Sequence, residues 1–244
     1  METYFQIRFE FNREAVLAAI RRQIHENRSG FIAVADGNVL ARVHCDASFR
    51  NTINRSIFAI CDSSWVPFYL RKLYGISRAQ YCGAQIFRDI VSSGEYRMAF
   101  LGTDEATLTD LRQNIQQWNP GVLSMPFRAL PFCNVEDFDY PSIAADLERE
   151  KVDIIWVALG APKQESFMEK LSSHLTRGVM LGVGAAFNFF SGHVRRAPKA
   201  LVQLRLEFLW RLLTEPGKQF RRCCGIIRHL PGIISLEHRH SHRI

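Results

Sequence analysis

Five short apolar runs constrain this chain most, because each is closed by a glycine or a small acidic turn. Phe31–Ala35 ends at Asp36-Gly37, and Ile57–Cys61 ends at Asp62-Ser63-Ser64. Arg97–Leu101 ends at Gly102-Thr103-Asp104, Asp153–Leu159 at Gly160-Ala161-Pro162, and Gly178–Val183 at Gly184. Helix-period stretches intervene, at 13–27, 105–117, 142–150 and 164–174. Buried runs alternating with helices specify an α/β fold with a mostly parallel sheet flanked by helices, since parallel strands need crossover connections. Residues 5–11 alternate like one further strand. Ligands of such sheets sit at the carboxyl ends of the strands. Asp36, Asp62, Gly102, Gly160 and Gly184 are therefore expected on one rim.

Two segments of that rim carry further chemistry. Gly160-Ala-Pro-Lys-Gln-Glu165 joins a strand to a helix. A helix start offers unpaired N–H groups and a positive dipole end, suited to an anion or a carbonyl-rich base. Pro162, Lys163, Gln164 and Glu165 lie there, Lys163 and Gln164 able to add charge and amide hydrogen bonds. Gly182-Val-Gly-Ala-Ala-Phe187, followed by Asn188, is a second glycine-rich turn. Its third position is out of step with the dinucleotide-binding fingerprint. Asp62 is either a helix cap or a general base, and the pattern alone favours the cap; the same holds for Asp36 and Asn38.

The chain has 244 residues, 47% of them hydrophobic and 23% charged, which suits a globular protein and excludes a disordered or collagen-like chain. No apolar run reaches the roughly 18–20 residues that span a bilayer, and residues 1–10 lack a signal-peptide core. Six cysteines without CxxC spacing read as reduced core thiols of a cytosolic protein. The charge is segregated. From Arg195 onward eleven Lys/Arg face three acids, a net +8, whereas residues 1–194 carry −1 of the total +7. The sequence thus divides into an α/β catalytic domain, 1–194, and a basic, helical appendage, 195–244. In the appendage the cations alternate with leucines and aromatics from Leu201 to Leu213. That pattern suits an anionic membrane surface better than nucleic acid, for which no reader motif is present. The same apolar surface could instead pack in the core or join copies into a homo-oligomer. The His-rich stretch 236–242 reads as an unstructured tail.

Four blocks occur in order: Val157–Glu165, Gly182–Gly192, Arg195-Arg-Ala-Pro198, and Leu206–Pro216 followed by Arg221-Arg222. Together they resemble the WecG/TagA/CpsF family of bacterial glycosyltransferases, strongly over 151–222 and collinearly over 31–100. The resemblance implies a Rossmann-like sheet and inverting transfer of a sugar from a UDP-sugar donor to a polyprenyl-diphosphate-linked N-acetylglucosamine. It implies an N-acetylmannosamine-type sugar, a product destined for cell-surface polymers, and a peripheral location on the cytoplasmic face of the membrane. No metal or other cofactor is implied. The family's Asp after the second strand falls on Asp62, its Asn on Asn38, and its Gln on Gln164.

The sequence departs from the family pattern at Ser63, where Gly is usual, at Asp36 in place of Thr, at Gln80 in place of Arg, and at Asn188 in place of Asp. Inverting transfer needs a base for the acceptor hydroxyl, here Asp62 with Asn38 orienting a sugar, and charge for the departing diphosphate. Arg195, Arg196, Arg211, Arg221 and Arg222 are the expected cations. Asp137-Phe-Asp139 matches an Asp-x-Asp metal motif, but Asp139 stands where it would cap a helix. Two other classes fit parts of the chain: a membrane-adhering module without catalysis, which needs only the appendage, and a nucleotide-cofactor oxidoreductase, which lacks its fingerprint.

Overall fold

The computed structural model describes residues 1–194, 210 and 216–241. The first strands are short: β1 (Glu2–Tyr4) and β2 (Ile7–Phe9) form a hairpin. Of the single strand expected over 5–11 only Ile7–Phe9 is extended, and its partner β1 lies before that span. Phe5 and Gln6 both take positive φ, 51° and 63°, the backbone of a tight hairpin turn whose twist suits antiparallel strands. Helix α1 (Arg13–His25) follows, capped by the Asn12 side chain and burying Val16 and Ile20, one turn apart on one face.

Next come β3 (Ser29–Ala35), α2 (Gly37–Cys45), α3 (Ala47–Arg55), β4 (Ala59–Cys61), α4 (Trp65–Tyr74) and α5 (Gly83–Ser93). Then β5 (Met98–Gly102), α6 (Glu105–Ile115), β6 (Phe127–Arg128) and α7 (Tyr140–Arg149) lead to β7 (Ile154–Ala158) and α8 (Lys163–Ser172). β8 (Gly178–Gly182) and α9 (Ala185–Phe190) complete the sheet region, and α10 (Pro216–Ser241) closes the described chain.

The eight strands lie in the order β1-β2-β4-β3-β8-β7-β5-β6, and every pair except the terminal hairpin is parallel. Alternate side chains leave opposite faces of each strand, so two helical layers cover the sheet. On one face Ile32, Val34, Phe100 and Trp156 meet α1, α5, α6 and α9. Phe87 of α5 is central there, 4.8 Å from Trp156 and stacked on Phe190 at 5.1 Å. On the other face Phe31, Val157 and Met180 meet α7 and α8, while Ala33, Ala35 and Ala59 meet α2, α3 and α4. Alanines on that half let the helices approach closely.

The expected unstructured tail is corrected over Leu236–Ser241, which continue α10. Ile233 is buried with Ala33, Ala35 and Ala59, and Ile226 packs beside Gly37. Glu237, 3% exposed, accepts hydrogen bonds from the Phe5 N–H and the Tyr74 hydroxyl, both at 2.7 Å. A buried carboxylate with two donors pins the last helix to the first hairpin and to α4. No described helix is long and apolar enough to cross a membrane.

Candidate active site

Strand register sets the site. Ala35 lies opposite Cys61, Val157 opposite Gly182, and Gly102 opposite Ala158. The carboxyl ends of β4, β3, β8, β7 and β5 are therefore level, and the residues that follow them share one rim. β3 and β8 are neighbours, yet β3 continues into α2 and β8 into α9, which cover opposite faces of the sheet. A crevice at such a reversal is where open α/β sheets bind ligands.

Asp36 caps α2, its Oδ1 accepting from the N–H groups of Asn38 and Val39 at 2.8 and 3.0 Å. Asn38 is thereby fixed in the first turn of α2, half-buried. Asp62 continues the β4 ladder, its N–H donating to the Ala35 carbonyl at 3.0 Å. Its side chain caps a helix, as one reading of the sequence had it, but not the next one. Oδ1 accepts from the Gly83 N–H at 2.9 Å, at the start of α5. This bond holds the carboxylate on the rim beside Asp36. Spacing along the chain could not reveal it, since it spans 21 residues.

The Gly160–Glu165 block turns sharply. Gly160 has φ of 78°, Ala161-Pro162 is cis, and Pro162 precedes the first residue of α8. The Gln164 N–H donates to the Gly160 carbonyl at 3.0 Å, closing the first turn. Gln164 and Glu165 are both buried, the latter wholly. The Gln164 Nε2 donates to Glu165 Oε1 at 2.9 Å and to the Gly182 carbonyl at 3.1 Å, tying α8 to the end of β8. Burial pushes the Glu165 carboxyl up to about 7, and the nearby charge of Asp36 adds to the rise. Lys163 leaves the rim: its ammonium donates to the Cys133 carbonyl and lies over the rings of Phe138 and Phe132 at 5.0 and 5.4 Å.

Gly102 (φ 102°) must be glycine, because a Cβ there would stand 2.6 Å from the Ala158 carbonyl oxygen. Gly184 begins the turn into α9. Phe187 points into the core, with no exposure, between Phe87 and Phe100. Asn188 is half-buried, and its carbonyl accepts from the Val194 N–H at 3.0 Å. The structure thus groups Asp36, Asn38, Asp62, Gln164, Glu165, Gly160 and Gly184 at the rim, and sets Lys163 and Phe187 away from it. Arg195, Arg196 and Arg211 lie outside the described residues. Arg221 and Arg222 fall within α10, with their side chains outside the description.

Two residues at the edges of the site, Arg78 and His193, were given no role by sequence. Arg78 pairs with both oxygens of Glu2, at 2.5 and 2.9 Å, closing the loop between α4 and α5 onto β1. His193 bonds Thr107 at 3.2 Å and Asp110 at 2.7 Å, holding the turn after α9 against α6. Asp139, of the Asp-x-Asp pair, caps α7 through the Ser142 N–H at 3.0 Å, and Asp137 accepts from Asn134 at 3.1 Å.

Residues 3–242 match the glycosyl transferase WecG/TagA/CpsF family. The chain belongs to that family. One relative is the N-acetylglucosaminyldiphosphoundecaprenol N-acetyl-β-D-mannosaminyltransferase of Bacillus spizizenii, 22% identical over 217 residues. That match covers 88% of this chain and 82% of the relative. The family expected from the four ordered blocks is thus the family the whole chain matches, the hairpin and α10 included. Membership makes the chain a transferase of glycosyl groups, with its rim as the place to seek the chemistry.

Proposed function

We propose that the protein transfers an N-acetylmannosamine-type sugar, or a related hexose, from a UDP-sugar to a polyprenyl-diphosphate-linked N-acetylglucosamine, with inversion. The family match over nearly the whole chain carries this reading, and the relative's own name describes an acceptor and a sugar of these kinds. Asp62 is the base. Its carboxylate accepts the proton of the acceptor hydroxyl as that oxygen attacks the anomeric carbon and the bond to UDP breaks. The Gly83 N–H orients the Asp62 carboxylate by donating to its Oδ1. Asn38, held on the first turn of α2, orients a sugar by its amide.

The departing diphosphate carries negative charge, which in this proposal the cations of the basic stretch from Arg195 onward offset: Arg195, Arg196, Arg211, Arg221 and Arg222. The stretch 195–244 then acts as an appendage on the α/β unit of 1–194, seated through α10 on α2 and facing an anionic membrane on the cytoplasmic side. We propose that no metal takes part, since Asp139 is engaged as the α7 cap and Asp137 with Asn134. Full activity in excess EDTA is the expected result.

The deciding experiment is UDP release from a panel of UDP-sugars, with and without a short-chain lipid-diphosphate N-acetylglucosamine. Acceptor-dependent release from one donor is expected. UDP binding without release from any donor would reject the acceptor class, and absence of UDP binding would reject the reading.

A further inference from the structure

Two buried oxygens at the rim lack a partner: Gln164 Oε1 and Glu165 Oε2 bond to nothing among the described residues. Gln164 is 4% exposed and Glu165 is at 0%. Buried polar atoms are nearly always paired, so such a pair marks a place where something else is meant to bind. The orientation of the Gln164 amide follows from chemistry. The Gly182 carbonyl can only accept, so the atom 3.1 Å from it is the nitrogen. Glu165 Oε1 engages the same nitrogen. The amide oxygen is thereby turned toward Gly184, where an added Cβ would stand 3.3 Å from it. A Cβ at Gly182 would strike the amide nitrogen at 2.9 Å, so the glycine lets the amide lie across the strand end.

We propose that Glu165 is a positioning residue that locks the Gln164 amide, and that the two unpaired oxygens receive a hydroxyl of the transferred sugar rather than the diphosphate. The assignment rests on the glycosyltransferase reading and deepens it. The wall here is made of oxygens: an amide oxygen, a carboxyl, and Asp36 within electrostatic reach of that carboxyl. A phosphate oxygen, which only accepts, would find no donor at Gln164 Oε1. The cation of this block, Lys163, is turned to Cys133 and the two phenylalanine rings. A hydroxyl both donates and accepts. It can give its proton to Gln164 Oε1 and accept one from Glu165 Oε2 while that carboxyl is neutral. The sugar then lies inward, between the ends of β8 and β7, and the diphosphate points away from this wall.

Isothermal titration of the full chain with UDP and with UDP-N-acetylmannosamine tests this, using Gln164→Met, Glu165→Leu and Glu165→Gln, with folding checked by circular dichroism and melting. The expected result for Gln164→Met is an at least tenfold loss of affinity for the UDP-sugar and a change below twofold for UDP. Glu165→Leu frees the amide and reproduces that loss. Glu165→Gln retains an oxygen that accepts from Gln164 Nε2, so it stays within about threefold of wild type. If Glu165→Leu fails to fold, the contrast between Gln164→Met and Glu165→Gln carries the test. Equal weakening of UDP and UDP-sugar, or no weakening of either, by Gln164→Met overturns the assignment alone. A wild-type chain that binds neither ligand overturns the glycosyltransferase reading along with it.

Discussion

Asp62 caps α5 and, in the proposed mechanism, also takes the acceptor's proton, and a substitution can separate the two. Its Oδ1 caps α5 at Gly83, a role that asparagine fills nearly as well. Asparagine cannot take a proton. Asp62→Asn should therefore keep the wild-type melting temperature within a degree or two while acceptor-dependent UDP release falls by about 10²-fold or more. Asp62→Ala should lose the same activity and, in addition, about 1 kcal/mol of stability for the missing cap. An Asn variant with near-normal turnover would remove Asp62 from the base role. Glu165 makes a different prediction, about pH. The ordinary carboxyl value is 4.5, and in the folded chain it is about 7. The unfolded chain releases this proton above about 4.5 while the native state keeps it to about 7, so stability falls as pH rises through that window and is flat above it. The full effect is up to ~3 kcal/mol at 1.36 kcal/mol per pH unit. Urea midpoints at pH 5 and pH 8 should show a smaller fall for Glu165→Gln than for wild type. Equal falls would mean that Glu165 is not held neutral by burial.

At the scale of elements, the sheet was legible because punctuation and apolar runs coincide. Asp36, Gly102 and Gly160 end strands and begin turns for local reasons, a cap or a positive φ, and local reasons are written locally. The hairpin was not legible: Phe5 and Gln6 are poor turn residues by type, and only the Phe5 N–H bond to Glu237, the Arg50 and Asn54 bonds to Gln6 and the core below show why the chain reverses there. The α10 anchor was hidden for the same reason. Glu237 sits among histidines and arginines, and its two partners are 163 and 232 residues away. Removing it leaves the buried Phe5 N–H and the half-buried Tyr74 hydroxyl without an acceptor, at about 1–3 kcal/mol for each fully buried group. Glu237→Ala should lower the melting temperature by several degrees, Tyr74→Phe by less. The double variant should fall short of the sum, since both lose the same bond. Additive losses would show that the anchor is not one network. In the active site, the rim positions of Asp36, Asp62 and Gln164 could be read from strand ends. The turning of Lys163 toward the 132–138 loop could not, because nothing in Pro-Lys-Gln tells which way a flexible lysine leans.

For the whole molecule, charge is segregated along the chain. Residues 1–194 carry −1, and the remaining 50 carry +8. Of the three acids in that last stretch, Glu237 is buried and engaged, so the charge that stretch offers to a surface is more positive than composition suggests. Each cation near an anionic bilayer contributes about 1 kcal/mol, screened by salt. Truncating at Arg195 would be a poor test of this proposal. It removes α10 and uncovers Phe5, Tyr74 and the cluster that Ile233 closes, so lost activity would report a damaged fold. Charge neutralisation avoids that difficulty. Arg195→Gln, Arg196→Gln and Arg211→Gln combined should weaken binding to phosphatidylserine vesicles at least tenfold at 0.1 M salt and flatten its salt dependence. Turnover with a short, water-soluble acceptor then separates the two roles of these arginines. If they only meet lipid headgroups, the rate in solution is unchanged. If they stabilise the departing diphosphate, it falls in solution as well, by the 10²–10³-fold that loss of a charge-stabilising group typically costs. Vesicle binding that survives the triple variant would reject these three arginines as the membrane contact.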